Sequence, residues 1–350
     1  MVSPGPFLAA PSAAPSGGLE ALAIDVSIWW WVGVTAVIIV ALLADLFLFH
    51  RDAHEVTIRE AAWSSTAWII LGLAFGGVMW WQFGATPAAE YYAGYIIEKS
   101  LSVDNIFVFA VIFTYFAVPK HLQHRLLFWG IFGALIFRAI FIALGAAILD
   151  RFDWAFVLFG AFLVFTGIKL AVRQDEHDVG NNPVLKWMRK HIAMTDTYEG
   201  QKFWVRRAGR RVATPMVAVL LVIESSDILF AVDSIPAVFA VTKTPFIVFT
   251  SNAFAILGLR ALYFLLAGAI SKFQYLRYGL AAVLIFVGVK MSVTLWYHLP
   301  TWISLIVITV LITVSIIWSL KAAPDEEPHP ELLQPKDAAG AGPSGDDPAL

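Results

Sequence analysis

The sequence predicts an all-α, polytopic membrane protein of about nine transmembrane helices, six of them forming an inverted repeat of three helices each. Three observations predict it. Of 350 residues, 59% are hydrophobic and only 14% are charged, against about 25% charged in an average soluble domain. Nine segments approach or exceed the roughly 20 apolar residues that a membrane crossing needs. Lys and Arg gather in alternate loops between those segments, as the positive-inside rule requires.

Taken in order, the spans are predicted at 28–49, 63–83, 91–118, 126–149, 154–172, 213–241, 246–270, 278–297 and 302–320. Together they make a transmembrane domain over 28–320. Trp29, Trp30, Trp31, Trp80, Trp81 and Trp302 fall at span ends, where amphipathic rings anchor at the membrane interface. Residues 1–27 are rich in Pro, Ala, Gly and Ser and carry no Lys or Arg. They lack the basic start of a signal peptide and read as a flexible extracytoplasmic leader. Residues 321–350, rich in Pro, Gly, Asp and Glu, read as a disordered cytoplasmic tail. A polar stretch at 173–212 separates the fifth span from the sixth.

Basic residues orient the chain. Arg51 and Arg59, Lys120 and Arg125, nine residues within 173–212, Lys272 and Arg277, and Lys321 and Lys336 lie on one side. The opposite loops hold only Arg151 and Lys243. The expected arrangement is an N-terminus outside and a C-terminus in the cytoplasm, in the inner (plasma) membrane. The run Arg206, Arg207, Arg210 and Arg211 reads as an anchor on anionic membrane lipid. A net charge of −2 suggests no nucleic-acid partner, and the absence of cysteine removes disulfides, thiolate metal sites and cysteine nucleophiles.

An internal repeat relates 91–172 to 213–297. Leu101-Ser-Val-Asp-Asn-Ile106 aligns with Phe230-Ala-Val-Asp-Ser-Ile235, which matches Asp104 to Asp233, Asn105 to Ser234 and Glu98 to Asp227. Further on, Phe132 and Arg138 match Phe254 and Arg260, and Lys169 matches Lys290. Units of three spans, an odd number, must cross the membrane in opposite directions. Secondary transporters are often built this way, with the substrate bound near the midplane between repeats.

The candidate site residues are Glu98, Asp104, Asn105, Glu224, Asp227 and Asp233, all inside predicted spans. An ionisable group at that depth costs about 2.5–3.5 kcal/mol on insertion scales, and is by default a functional signal. Glu98 and Asn105 share a helix face, as do Glu224 and Asp227. Pro236 and the pair Ser225-Ser226 predict a break in the sixth span near Asp233, which would free backbone carbonyls for a cation. With Ser102, Ser225 and Ser234 the donors are oxygen only, which suits hard ions such as Mg²⁺, Ca²⁺ and Mn²⁺. All eight histidines fall outside the predicted spans. Crowded carboxylates would also bind protons, so proton-for-metal exchange is expected.

Structural readings stand beside these. Arg138, Arg260, Lys169 and Lys290 could neutralise the acids as buried ion pairs, or pair with them when the ion is absent. Arg138 and Arg260 read as structural or gating groups. Asp45 reads as either an interfacial residue or a group supporting the site. His50, His54, His121 and His124 read as solvated loop residues.

These residues resemble a known family. Glu98-Lys-Ser-Leu-Ser-Val-Asp-Asn-Ile106, Glu224-Ser-Ser-Asp-Ile-Leu-Phe-Ala-Val-Asp-Ser-Ile-Pro236 and Ser251-Asn-Ala-Phe-Ala-Ile-Leu-Gly-Leu-Arg260-Ala-Leu-Tyr263 are similar to the TerC family. Arg51-Asp-Ala-His-Glu-Val resembles its Alx-type branch. The resemblance covers about 28–320. It implies a member of a wider inverted-repeat group that includes lysine exporters, associated with manganese export, manganese supply to extracytoplasmic proteins, and tellurite resistance. It implies Mn²⁺ as the transported ion, with no prosthetic group and no enzymatic activity. From the residues alone, only a hard cation follows. An exporter of Ca²⁺ or an organic amine, and a membrane scaffold in tellurite or stress responses, remain as alternatives. An intramembrane aspartyl protease is disfavoured because no Gly-x-Gly-Asp occurs.

Overall fold

A computed structural model describes residues 26–48, 57–152, 154–172, 182–195, 197–207, 210–266, 275–294, 296–297 and 299–322. The N-terminal leader up to residue 25, the tail beyond 322, and His50, Arg51, His54 and Lys272 lie outside the described residues. The elements are α1 (Ile28–Leu48), α2 (Ile58–Phe83), α3 (Ala85–Tyr115), α4 (Lys120–Arg151), α5 (Trp154–Val172), α6 (Pro183–His191), β1 (Trp204–Arg207), β2 (Arg210–Ala213), α7 (Pro215–Phe239), α8 (Pro245–Ile256), α9 (Leu259–Leu266), α10 (Leu276–Val293) and α11 (Thr301–Ala322).

Local chemistry starts these helices where they start. The Thr57 hydroxyl accepts from the Glu60 amide, and that glutamate sits in the first turn of α2. The Asn182 side chain accepts from the Val184 and Leu185 amides ahead of α6, with Pro183 at its first position. Prolines also open α7 and α8. The helices then expose apolar side chains that a soluble protein would hide. Val40, Ile168, Val172, Ile306, Val310 and Val314 all face outward, a surface suited to lipid.

Among the described residues, seven helices are long and apolar enough to cross a membrane, or eight if the bent pair α8–α9 counts as one. Nine were expected, and α3 is the difference. It has 31 residues, about 45 Å of helix, but Glu90, Glu98, Lys99 and Asp104 lower its hydropathy. It lies inside the bundle, packed against α2, α7, α8 and α11.

Four further expectations change. The predicted break near Asp233 is absent, because α7 runs unbroken from Pro215 to Phe239. Pro236 falls in its last turn, and the Ser225 and Ser226 hydroxyls both bond back to the Val222 carbonyl at 2.9 Å. The break lies instead in the predicted seventh span, where α8 and α9 meet at 41°. Gly258 there has φ +81° and lies against the Trp68 side chain, leaving no room for a Cβ. The all-α expectation yields to one hairpin, β1–β2, paired from Trp204↔Ala213 to Arg207↔Arg210. Finally, α4 begins at Lys120, so His121 and His124 belong to its first turns and not to a loop.

Contacts along the helices fix their relative directions. Gly160 of α5 meets Gly288 of α10, while Gly167 meets Ala281, so α5 and α10 run antiparallel. Gly130 meets Ile223 and Gly145 meets Phe239, so α4 and α7 run parallel. Gly94 meets Ser251 and Lys99 reaches the Ala255 carbonyl, so α3 and α8 also run parallel. At one end, Thr242 just past α7 binds Glu90 near the start of α3 at 2.6 Å. At the other, the Tyr198 hydroxyl, in the segment before α7, donates to the Phe116 carbonyl just past α3 at 2.8 Å. Helices α3 and α7 are in contact and therefore antiparallel. Burial pushes the Tyr198 hydroxyl up to about 12, so it stays a donor at neutral pH.

The closest seam is α5 with α10. A Cβ at Gly288 would stand 2.6 Å from the Gly160 carbonyl oxygen, and one at Gly167 would stand 2.9 Å from the Ala281 carbonyl oxygen. These obstacles are backbone and cannot rotate away. Gly288→Val should destabilise the fold by about 1–3 kcal/mol or more. Gly33→Ala, with nothing within 4 Å of its Cβ, should be neutral. Thermal unfolding in detergent compares the two, and equal midpoints would contradict the seam.

Candidate functional site

The Arg138 guanidinium is the centre of the buried polar network. It comes from the middle of α4 and is 1% exposed. Its Nη1 pairs with Glu98 Oε1 on α3 and reaches Ser234 Oγ on α7 at 3.3 Å. Its Nε and Nη2 reach the two Asp227 carboxylate oxygens at 3.4 and 3.3 Å. The planar fork of arginine lets one side chain serve acids from two helices. Glu98 and Asp227 are the residues that the internal repeat makes equivalent, and Ser234 is the equivalent of Asn105.

A second repeat-related pair lies nearby. Asp104 of α3 is within electrostatic range of Asp233 on α7. The Thr166 hydroxyl of α5 donates to Asp233 Oδ1 at 3.3 Å, and Lys169 is also within range. Each acid of this pair stands six residues, about 9 Å of helix rise, from the acid of its own helix in the Arg138 network. Both Asp104 and Asp233 are half-buried.

The remaining candidates divide. Glu224 does not join Asp227 on the guanidinium. Its carboxylate lies directly against Gly133 of α4, where any Cβ would collide with it. Asn105 is 1% exposed, and neither amide atom has a hydrogen-bond partner. The Ser102 hydroxyl bonds back to the Glu98 carbonyl at 2.8 Å and supports the helix. Among the described residues, no three of His, Asp and Glu gather as a metal-holding group. The six expected ligands are therefore distributed along the α3–α7–α4 interface and do not form one closed shell in this conformation.

Buried side-chain oxygens nonetheless remain unsatisfied there. Glu98 Oε2, Asn105 Oδ1 and Glu224 Oε2 have no hydrogen-bond partner. Such atoms are rare in folded proteins, because each costs about 1–3 kcal/mol. The three lie on two adjoining helices, α3 and α7.

The other basic residues find separate acids. Arg260, the repeat equivalent of Arg138, binds Asp45 Oδ1 at 2.6 Å and the Asp45 carbonyl at 2.9 Å. It also meets His124 Nε2 at 2.6 Å. Asp45 is thus the buried partner of Arg260. Lys290 is buried within electrostatic range of Glu90. Lys99 donates to the Ala255 carbonyl at 3.1 Å, one turn before the α8–α9 break.

Sequence reasoning missed Glu90, Thr166, Thr242 and the role of His124. Glu90 was placed in a loop, although it stands eight residues before Glu98 and therefore near the same helix face. His124 gave no signal, since its partner is 136 residues away.

The family described as "Integral membrane protein TerC family" matches residues 83–326. The uncharacterized membrane protein STKORF319 of Myxococcus xanthus is 50% identical over 294 residues, 83% of this chain and 91% of that protein. A protein of Escherichia coli (strain K12) named Alx, provisionally a membrane-bound redox modulator, is 46% identical over 297 residues, 82% of this chain and 92% of its own. An uncharacterized membrane protein of Rickettsia felis is 40% identical over 83% of this chain and 97% of its own. No solved structure matches.

The Asp45–Arg260 pair tests how far these networks hold the bundle together. Asp45→Ala leaves a buried guanidinium without its acid and should cost about 3–5 kcal/mol. The double variant Asp45→Leu/Arg260→Met removes both charges and should recover most of that loss. Thermal unfolding of both proteins in the same detergent checks it; equal losses would contradict the pairing argument.

Proposed function

This chain belongs to the TerC family of integral membrane proteins, and from that premise and its buried acids we propose that it is a secondary transporter. It exports a divalent metal cation, Mn²⁺ foremost, from the cytoplasm. The observation that carries this reading is the set of unsatisfied buried oxygens, Glu98 Oε2, Asn105 Oδ1 and Glu224 Oε2, beside two acid pairs contributed by α3 and α7. All are hard donors, and a cation is the ligand that satisfies them.

The reading takes α3 as a ninth span, held in the membrane by its neighbours despite its acids. It takes α3–α4–α5 and α7–α8/α9–α10 as the inverted repeats. Helix directions support this: α4 is parallel to α7 and α8 to α3, while α3 opposes α7 and α5 opposes α10. The glycine seam adds support, because exchanging the repeats turns the Gly167–Ala281 contact into the Gly288–Gly160 contact. With basic loops inside, the N-terminus is outside and the protein resides in the inner membrane. Partners are then the metal ion, anionic lipid at the 204–213 hairpin, and extracytoplasmic manganese-dependent proteins that receive the ion.

Proton exchange is part of the proposal, since carboxylates crowded away from water compete between protons and metal. Relatives carry a redox description, but this chain has no cysteine. A redox effect would pass through the ion moved and not through thiols of its own.

The test is metal flux in reconstituted vesicles, with wild type beside Asp104→Asn and Asp233→Asn. Each variant should slow Mn²⁺ movement by about tenfold or more, the equivalent of about 1.4 kcal/mol. Equal movement in all three would overturn the acidic site, and indifference to an imposed pH gradient would overturn the proton coupling.

A further inference from the structure

We propose that Arg138 is a tethered stand-in for the transported cation: its guanidinium occupies the place between Glu98 and Asp227 that the metal takes during transport. This rests on the transporter reading above and deepens it by assigning the residue that competes with the substrate for its acids.

The two repeats use their arginines asymmetrically. The repeats supply two equivalent arginines and two equivalent acids. Only Arg138 meets those acids, however, while Arg260 is taken by Asp45 and His124. One guanidinium therefore faces two carboxylates. Arginine does not lose its proton in proteins, so it cannot release the acids by titrating. It can only leave them by moving.

With Arg138 in place, the pair of ionised carboxylates carries a residual charge of one. With Arg138 withdrawn it carries two, the charge that a divalent ion neutralises. Either occupant lowers the uncompensated charge of the pair, from two to one for the guanidinium and from two to none for a divalent ion, and so lowers the cost of reorienting it in the membrane interior. A monovalent ion would leave the same residual charge as the guanidinium, so a divalent ion is the occupant that gains by displacing it.

Two details fit an occupant that is good but incomplete. Glu98 Oε2 is left without a partner although Oε1 is paired with the guanidinium. Asn105, two turns along the same face of α3, has both amide atoms unsatisfied at 1% exposure. The guanidinium engages one oxygen of Glu98 and leaves the other, and the Asn105 Oδ1 acceptor, open to a further positive group. Contacts to Asp227 at 3.3 and 3.4 Å are also long for a charge-assisted pair. Asp227 is engaged, then, without being locked.

The experiment uses the full chain in proteoliposomes and nanodiscs, with Mn²⁺ as the probe. Wild type is compared with Arg138→Gln and Arg138→Lys in three measurements: Mn²⁺ binding, net Mn²⁺ flux, and Mn²⁺-for-Mn²⁺ exchange. Removing the internal competitor should raise the apparent affinity of Arg138→Gln by about threefold or more, since affinity scales with the fraction of competent sites. Its net flux should collapse, because the emptied Glu98–Asp227 pair would return with no guanidinium to cover it, and protons would have to do so alone. Exchange, which never passes through the empty carrier, should persist. A purely structural arginine would lose net flux and exchange together, and weaker binding or joint loss in Arg138→Gln overturns the proposal.

Should Arg138→Gln not fold, Arg138→Lys decides. An ammonium keeps the charge but not the fork, so this variant should bind Mn²⁺ more tightly than wild type while retaining net flux. Equal or weaker binding overturns the proposal. Wild type that neither binds nor moves Mn²⁺ refutes manganese transport and this inference together. Wild-type flux with the wrong variant behaviour refutes this inference alone.

Discussion

A guanidinium buried between two carboxylates is the constraint from which much of this bundle follows. Arg138, Glu98 and Asp227 sit on three helices, and each would be prohibitive in the membrane interior alone. Bringing them together requires α4 to lie where it can reach both α3 and α7. Helix α4 does pack on α7, and α3 on α7 and α8. That places α3, which carries Glu90, Glu98, Lys99 and Asp104, in the centre and leaves the more apolar α1, α5 and α11 to present side chains to lipid. An acidic helix can thus be buried within a bundle, provided that its neighbours carry the partners.

The same logic recurs away from the centre. Asp45 with Arg260 and His124 joins α1, α9 and α4. Glu90 with Thr242 joins α3 to the chain beyond α7, with Lys290 of α10 close by. These networks lie on either side of the Arg138 cluster along the helices: Glu90 precedes Glu98 by eight residues on α3, and His124 precedes Arg138 by fourteen on α4. Polar contacts therefore hold the bundle near its middle and towards both ends. Apolar packing and small residues do the work between them.

Much of this was legible in the sequence. The acids, their repeat-related pairing, and the basic residues that answer them follow from composition and internal similarity, because charge inside a lipid-facing segment stands out against its surroundings. The helix break was assigned to the wrong place. Pro236 and the two serines are weak helix formers in isolation, yet Pro236 falls in the final turn of α7 and the serines satisfy themselves on Val222. Gly258, which sits at the break, gave a weaker local signal, since its positive φ and the approach of Trp68 from α2 are features of the folded chain. Partner choice was equally opaque. Nothing local distinguishes Arg138 from Arg260, and the difference comes from Asp45, which is far from either in the chain.

The contact between α5 and α10 has a mechanical consequence. Most helix pairs touch through side chains, which can change rotamer and let one helix slide past another. At Gly160 with Gly288 and at Gly167 with Ala281, backbone meets side chain or backbone with no such lubricating layer. Sliding by even a fraction of a turn would drive larger residues into carbonyl oxygens. This pair therefore behaves as a fulcrum: a stiff axle against which the acid-bearing α3 and α7 can tilt while its own register stays fixed.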